Sequence, residues 1–219
     1  MQVLIATGNS GKAREFRQML ADAPFEWTDL SQHPELPAIE ETGRTFRANA
    51  CLKASYYATK LGVWALADDS GLEVDALGGA PGVLSARWAE VHGAGRGDLD
   101  NNRLLLQQLG SVPAAQRTAR FVCVLALSDP AGHIVLTARD AVEGRIIHEP
   151  RGSNGFGYDP LFLIDELGKT TAELEPQDKH RISHRGKALR RMHDLMVRVG
   201  LIAGRGEPGS APAPSGPQH

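Results

Sequence analysis

The chain has 219 residues, 42% of them hydrophobic and 23% charged, with a net charge of -2 and a sequence pI near 6.4. That is the composition of a globular protein long enough to bury a large core. It excludes a broad basic footprint for nucleic acid, though not a local positive pocket, and no apolar run approaches the length of a membrane span. Cys51 and Cys123 sit in apolar contexts with no C-x-x-C pattern and read as buried thiols of a reducing cytoplasm. Met1-Gln2 leads straight into an apolar run, so no signal peptide is expected.

Val3 to Ala6 is short, apolar and followed by turn residues, which predicts a buried strand. Residues 11–21 predict a helix with Phe16, Met19 and Leu20 on one face. Residues 31–43 form a Pro-rich, irregular connection. A helix follows over 45–61, with Phe46, Ala50, Ala54, Tyr57 and Leu61 at helical spacing. Val63 to Ala67 predicts a second buried strand that ends at Asp68-Asp69-Ser70-Gly71. Residues 77–87 read as a Gly-rich loop and 99–109 as a helix. Arg120–Leu127 and Ile134–Ala141 read as paired strands around a turn at Asp129-Pro130-Ala131-Gly132. A second Gly-rich loop covers 150–160, and 183–199 predicts a helix with the stripe Leu189, Met192, Leu195, Met196 and Val199. From Gly204 the composition turns to Gly, Pro and Ser, which predicts a disordered tail over 204–219 after a single domain over 1–203. Helices alternating with strands, plus the antiparallel pair, predict a mixed α/β sheet.

Thr7-Gly8-Asn9-Ser10-Gly11-Lys12 stands between the first strand and the first helix. Backbone N–H groups, a helix N-terminus and a lysine together favour an anion such as phosphate. It is no Walker A loop: Ala6 stands at the first glycine and Ala13 where the metal-binding hydroxyl belongs. A tight turn with a solvated lysine is the competing reading, and any metal must find its ligands elsewhere. Two acidic pairs offer them. Glu40-Glu41 lie in the Pro-rich connection, where the plainer reading is a solvated loop. Asp68-Asp69 end a buried strand, at the edge where open α/β sheets bind ligands; the plainer reading there is a turn. Neighbouring strand residues face opposite ways, so the two aspartates should not share one task. Mg²⁺ takes one or two protein carboxylates plus phosphate oxygens and water, so a Glu from the first pair and an Asp from the second suffice.

Residues 153–160, SNGFGYDP, display Phe156 and Tyr158 on a Gly-rich backbone. An aromatic there either tucks into the core or stacks on a base, a contact worth about 1–3 kcal/mol in nucleic-acid systems. Residues 179–189, KHRISHRGKAL, read as a basic first turn of the last helix, a placement that opposes the helix dipole and so invites a functional reason.

TGNSGK, EETG, ADDSGLEVDALGGAPGVLSAR, GFGYDP and SHRGKAL follow one another at a spacing that resembles the inosine/xanthosine triphosphate pyrophosphatases. The match runs from about Val3 to Met196. The resemblance implies a two-lobed mixed α/β fold with the active-site cleft between the lobes, working as a homodimer in the cytoplasm, without nucleic-acid or membrane partners. It implies Mg²⁺-dependent hydrolysis of ITP, dITP and XTP to the monophosphate and pyrophosphate. It assigns Thr7, Gly8, Asn9, Ser10, Gly11 and Lys12 to the phosphates, with Lys53 facing them and Ser70 as a substrate contact. Glu40, Glu41 and Asp69 become the metal ligands, and Asp69 also the general base. Phe156, Gly157, Tyr158, Asp159, Lys179, His184 and Arg185 become the base-binding segment. The tail has no counterpart in the family.

In that scheme Asp69 deprotonates a water that attacks the α-phosphorus. Hypoxanthine and xanthine carry a 6-oxo acceptor and adenine a 6-amino donor. Donors from His184, Arg185 or the loop amides would be left unpaired by adenine, a mismatch that can reach about 10⁴-fold. Guanine shares the 6-oxo group, and its exclusion needs a further feature that the residues do not reveal. Three rivals are a P-loop kinase or NTPase, against which Ala6 and Ala13 speak, a pyrophosphatase for pyrimidine or modified nucleotides, and a nucleotide sensor without turnover.

Overall fold

The computed structural model describes residues 2–21, 23 and 25–203; the predicted tail over 204–219 lies outside them. The chain opens with β1 (Gln2–Ala6), buried after Gln2. Helix α1 (Ser10–Met19) starts at Asn9, whose side chain accepts from the Lys12 N–H at 3.0 Å. After β2 (Glu26–Asp29), α2 (Phe46–Leu61) is capped by Thr45 and closed by Gly62 at φ 66°, a left-handed position natural to glycine. There follow β3 (Trp64–Val74), α3 (Trp88–Val91), α4 (Asp98–Leu109), β4 (Thr118–Ser128) and β5 (Ile134–Ile146). The chain then forms β6 (Phe162–Ile164), β7 (Lys169–Thr170), α5 (Pro176–Ile182) and α6 (His184–Arg198).

One seven-stranded sheet runs β2-β1-β3-β4-β5-β6-β7. β1 pairs in parallel with β2 and β3, and every later pairing is antiparallel. This is the two-lobed mixed α/β sheet expected, and the period of two along its strands makes the lobes. On one face α2 packs Ala50, Ala54 and Tyr57 on Leu4, Ala65 and Val124. On the other, α1 and α6 pack Phe16, Met192 and Met196 on Ile5, Leu66 and Leu125. Farther along the same strands, Leu72 and Phe121 join Leu105, Tyr158 and Phe162 in a separate core. Asp68, Asp69 and Ser70 lie on β3 between the cores, so the long strands carry polar side chains where the lobes meet.

Several sequence expectations change. β3 does not stop at the aspartates but runs on to Val74, because β4 pairs with it throughout, Asp68 opposite Leu125 and Asp69 opposite Val124. The two carboxylates therefore sit within a strand, not in a turn at its end. Past Ala67 β1 no longer covers that strand's other edge, and a 3-10 turn over Gly82–Arg87 does. Ser85 Oγ accepts from Leu72 N–H at 2.8 Å, and a Cβ on Gly71 would meet Gly82 O at 2.6 Å, so glycine admits the turn. The 179–189 stretch is broken at Ser183, which caps α6 by accepting from Gly186 N–H. Lys179 belongs to the last turn of α5, where a cation suits the dipole. Val199 is 53% exposed, and Cys51 is half-buried, while Cys123 is buried as expected. β2, β6, β7 and α5 went unread, being too short to show a period.

Candidate active site

The loop Thr7–Lys12 leaves β1 and enters α1 with Gly8 and Ser10 exposed and Thr7 buried. Asn9 N–H donates to Thr7 Oγ1 at 3.3 Å while the Asn9 side chain caps the helix, so the turn is held from within. Gly11 is needed for a contact of another kind. A Cβ there would lie 2.7 Å from Cγ of Phe156, so the ring of the second Gly-rich loop rests on the backbone of the first. Lys12 Nζ sits 2.5 Å from Asp68 Oδ1.

β3 sends its two aspartates to opposite faces, as alternation requires. On the α2 face, Asp69 Oδ2 accepts from Asn49 Nδ2 at 3.1 Å, and Lys53 Nζ stands 3.2 Å from Asp69 Oδ1 and 2.6 Å from Glu41 Oε1. Asn49 and Lys53 are one helical turn apart on α2, hence on one face. Asn49 Oδ1 also accepts from Gly43 N–H at 2.7 Å and ties the acidic loop to the helix. Burial pushes the Asp69 carboxyl above its usual range; Lys53 and Lys12 oppose this, and the nearby Glu41 and Asp68 charges add to it. Burial works against the Lys53 ammonium, but Asp69 and Glu41 outweigh it and hold its pKa up. Glu40 is exposed and does not join this group.

On the other face Asp68 is fully buried. Its oxygens accept from Lys12, from Ser70 Oγ at 3.1 Å, from Cys123 Sγ at 3.1 Å and from Arg185 Nε at 3.2 Å. Arg185 also donates to Glu15 through Nη1 and to Ser70 Oγ through Nη2 at 2.7 Å. Lys179 Nζ bridges Glu15 Oε1 at 2.7 Å and Asp159 Oδ2 at 2.6 Å. Cations and carboxylates alternate from Lys12 through Asp68, Arg185, Glu15 and Lys179 to Asp159, linking the Thr7–Lys12 loop to the second Gly-rich loop. Burial alone would raise Asp68, but Lys12 and Arg185 hold it far below the ordinary carboxylate range. Burial would raise Glu15 too, but Arg185 and Lys179 bring it down to about 2.

A cavity of about 70 Å³ opens beside this chain of charges, between Asn9, Lys12, Ser70, Phe156, His184 and Arg185. Ligand sites usually offer ~300 Å³ or more, and Phe156 is one of the side chains that narrow this one. A larger groove of about 370 Å³ lies elsewhere, along Met19, Leu20, Phe25, Leu189, Met192 and Met196; none of the candidate site residues lines it, and the convergent charges are not there. The two aromatics of the loop divide the alternatives open in the sequence. Tyr158 tucks into the core and donates to Ser85 O at 2.9 Å, while Phe156 faces the cavity. His184 stacks on Phe121 with ring centroids 5.0 Å apart, and its Nδ1 is buried without a partner among the described residues. Burial, with Arg185 alongside, keeps its pKa well below the usual histidine value, so the ring is neutral.

Arg185 and the loop amides, expected as base donors, are already engaged: Phe156 N–H donates to Asp159 Oδ2 at 2.9 Å and Gly157 N–H to Asp98 Oδ2 at 2.7 Å. Among the described residues no group of three or more His, Cys, Asp or Glu side chains is arranged for a metal. Glu41 and Asp69, gathered on one ammonium, still suit Mg²⁺, which needs only one or two carboxylates beside phosphate and water. Sequence reasoning missed Asn49, Glu15 and Asp98. The first two were legible in principle, Asn49 four residues before Lys53 on α2 and Glu15 three after Lys12 on α1.

A dITP/XTP pyrophosphatase of Exiguobacterium sibiricum is 50% identical over 197 residues, 90% of this chain and 98% of that protein. One from Geobacillus kaustophilus is 45% identical over 205 residues, 94% of this chain and 98% of that protein. The structure of a HAM1 protein from Coxiella burnetii superposes with a TM-score of 0.80 at 40% identity, covering 90% of this chain and 99% of that one. The Ham1 family model matches residues 3–195, and with relatives this close over nearly the whole chain, the protein belongs to the Ham1 family.

Proposed function

We propose that the protein hydrolyses deaminated purine nucleoside triphosphates, ITP, dITP and XTP, to the monophosphate and pyrophosphate. The observation that carries this reading is the Asp69 carboxylate, buried, raised in pKa and facing Glu41 across Lys53, in a chain half identical to a dITP/XTP pyrophosphatase. Thr7 to Lys12 and Lys53 receive the triphosphate. Glu41 and Asp69 would hold Mg²⁺, with exposed Glu40 beside them; when bound, the ion neutralises phosphate oxygens. Asp69 takes the proton of a water whose oxygen bonds to the α-phosphorus, and the bond to the bridging oxygen breaks to release pyrophosphate. A raised pKa suits a base that must take up a proton near neutral pH. Lys12, in releasing some of its hold on Asp68 to meet phosphate, keeps a cation against the developing charge.

The neutral ring of His184 supports the base preference. His184 lines the cavity and its ring makes no hydrogen bond among the described residues, so a ring N–H is left to meet a purine 6-oxo group as a donor. Phe156 stacks on the base. The reading includes a homodimer in the cytoplasm, on the family resemblance, and no nucleic-acid or membrane partner. The net charge of -2 supports the former, and no helix among the described residues is long and apolar enough to cross a membrane. The test is pyrophosphate release from ITP, dITP, XTP, ATP, GTP and dTTP, with Mg²⁺ and with EDTA. Mg²⁺-dependent release from the first three supports both reaction and specificity. Equal release from all six overturns the specificity, preference for dTTP points to a pyrimidine enzyme, and binding without release makes the protein a sensor.

A further inference from the structure

The base-binding loop is tied down at three successive residues, each to a different part of the molecule. Asp159 is held by Lys179 and by Thr171 Oγ1 at 2.8 Å, and Tyr158 by the carbonyl of Ser85. Gly157 is held by α4 alone. Its N–H donates to Asp98 Oδ2 at 2.7 Å, and its carbonyl accepts from Asn102 Nδ2 at 2.9 Å. Asp98 and Asn102 are four residues apart on the helix, so both reach the same side and grip one residue from above and below. Gly157 has φ 64°, a position natural to glycine; the turn is closed within the loop by Phe156 N–H on Asp159 Oδ2 at 2.9 Å, and the two hydrogen bonds from α4 set where it sits.

α4 is also held by contacts outside the loop. Leu105 and Leu109 of α4 are fully buried. Asn101 accepts from Ala89 N–H at 2.7 Å and donates to Ala86 O at 3.2 Å, which fixes the helix to its neighbour. Arg117 donates to Gly110 O and Val112 O just past its end. Asn102 adds nothing to that framework. Among the described residues its Oδ1 is buried without a partner, a cost that a purely structural position would shed by substitution.

We propose that Asp98 and Asn102 are positioning residues for purine recognition: they set the Gly157 turn so that Phe156 presents its ring to the base cavity on a backbone already in place. The proposal rests on the pyrophosphatase reading above and names residues outside the motifs that suggested it. A loop ordered in advance demands less ordering when the base binds, so the effect falls on affinity for the base, not on the chemistry at phosphorus.

Asp98→Ala and Asn102→Ala are each expected to raise KM for ITP, and Kd for IMP by calorimetry, by about tenfold, the weight of one such hydrogen bond, with kcat and the inhibition constant of pyrophosphate within about threefold of the parent. Asp98→Asn keeps an acceptor for the Gly157 N–H without the charge and should restore the parental values. Unchanged IMP affinity in both alanine variants overturns the proposal. So does equal weakening by Asp98→Asn and Asp98→Ala, which would assign the effect to charge, or parallel loss of IMP and pyrophosphate binding, which would make the contact a general structural one. If the parent chain itself releases no pyrophosphate, the pyrophosphatase reading fails, and the IMP titrations still decide the clamp.

Discussion

Asp68 and Asp69 are neighbours on one strand, yet their surroundings drive them to opposite characters. Asp68 faces Lys12, Arg185, Ser70 and Cys123, is wholly enclosed, and stays ionised far into acid. Asp69 faces one lysine, one amide and a second carboxylate, and burial raises its pKa. The strand's alternation does the sorting: one face of β3 carries a closed network of alternating charge, the other a carboxylate left with proton affinity to use. The difference teaches that adjacent residues of the same type acquire separate tasks from what the neighbouring helices bring to each face. α1 and α6 bring Asp68 the cations that hold it ionised, and α2 with the acidic loop leaves Asp69 the group proposed as the base.

The sharpest way to break the comparison is to remove Asp68. Asp68→Ala leaves buried Arg185 with Glu15 as its remaining carboxylate and takes from partly exposed Lys12 its ion-pair partner, and should cost about 2–3 kcal/mol in denaturant unfolding. A loss near zero would mean that the network is not structural. Acid titration probes the same face. The Glu15 carboxyl binds its proton near pH 2 when folded and near 4.5 when unfolded, so its contribution is full above 4.5 and lost as pH falls toward 2. That contribution is about 3 kcal/mol, and Glu15→Gln should flatten the fall in stability across this window in pH-dependent urea melts. Next comes the contact between the two loops: Gly11→Ala presses a methyl against Phe156 and should cost about 1–3 kcal/mol while raising KM for ITP. The smallest effect belongs to the reactive face. Asp69→Asn keeps the shape and removes a carboxylate that burial disfavours, so stability should hold or rise by no more than about 1 kcal/mol.

The split between the faces was partly legible beforehand. Alternation along a strand predicts that Asp68 and Asp69 point apart, and the strand, loop and helix around Lys12 read directly from apolar run, glycines and cap. The partners were another matter. Asp68 meets Lys12 and Arg185 across 56 and 117 positions of chain, pairings that sheet order creates and no local pattern carries. The same holds for Glu15 with Arg185, and for Asp98 reaching Gly157. Two adjacent aspartates look like the end of a strand, whereas pairing with β4 satisfies their backbone and Lys12, Arg185 and Lys53 their charge. The family resemblance supplied the list of residues; the geometry shows that Arg185 and the loop amides are engaged, while the His184 ring makes no hydrogen bond among the described residues.

The central claim is that Asp69 is the base and Asp68 the frame. The measurement that tests it most directly is pyrophosphate release by Asp69→Asn at saturating ITP and Mg²⁺, with the ITP dissociation constant taken on the same preparation. Loss of the base predicts a fall in kcat of about 10²–10⁴-fold with binding within a few-fold of the parent. Near-parental turnover by a folded Asp69→Asn protein would contradict the account and move the proton transfer to another group.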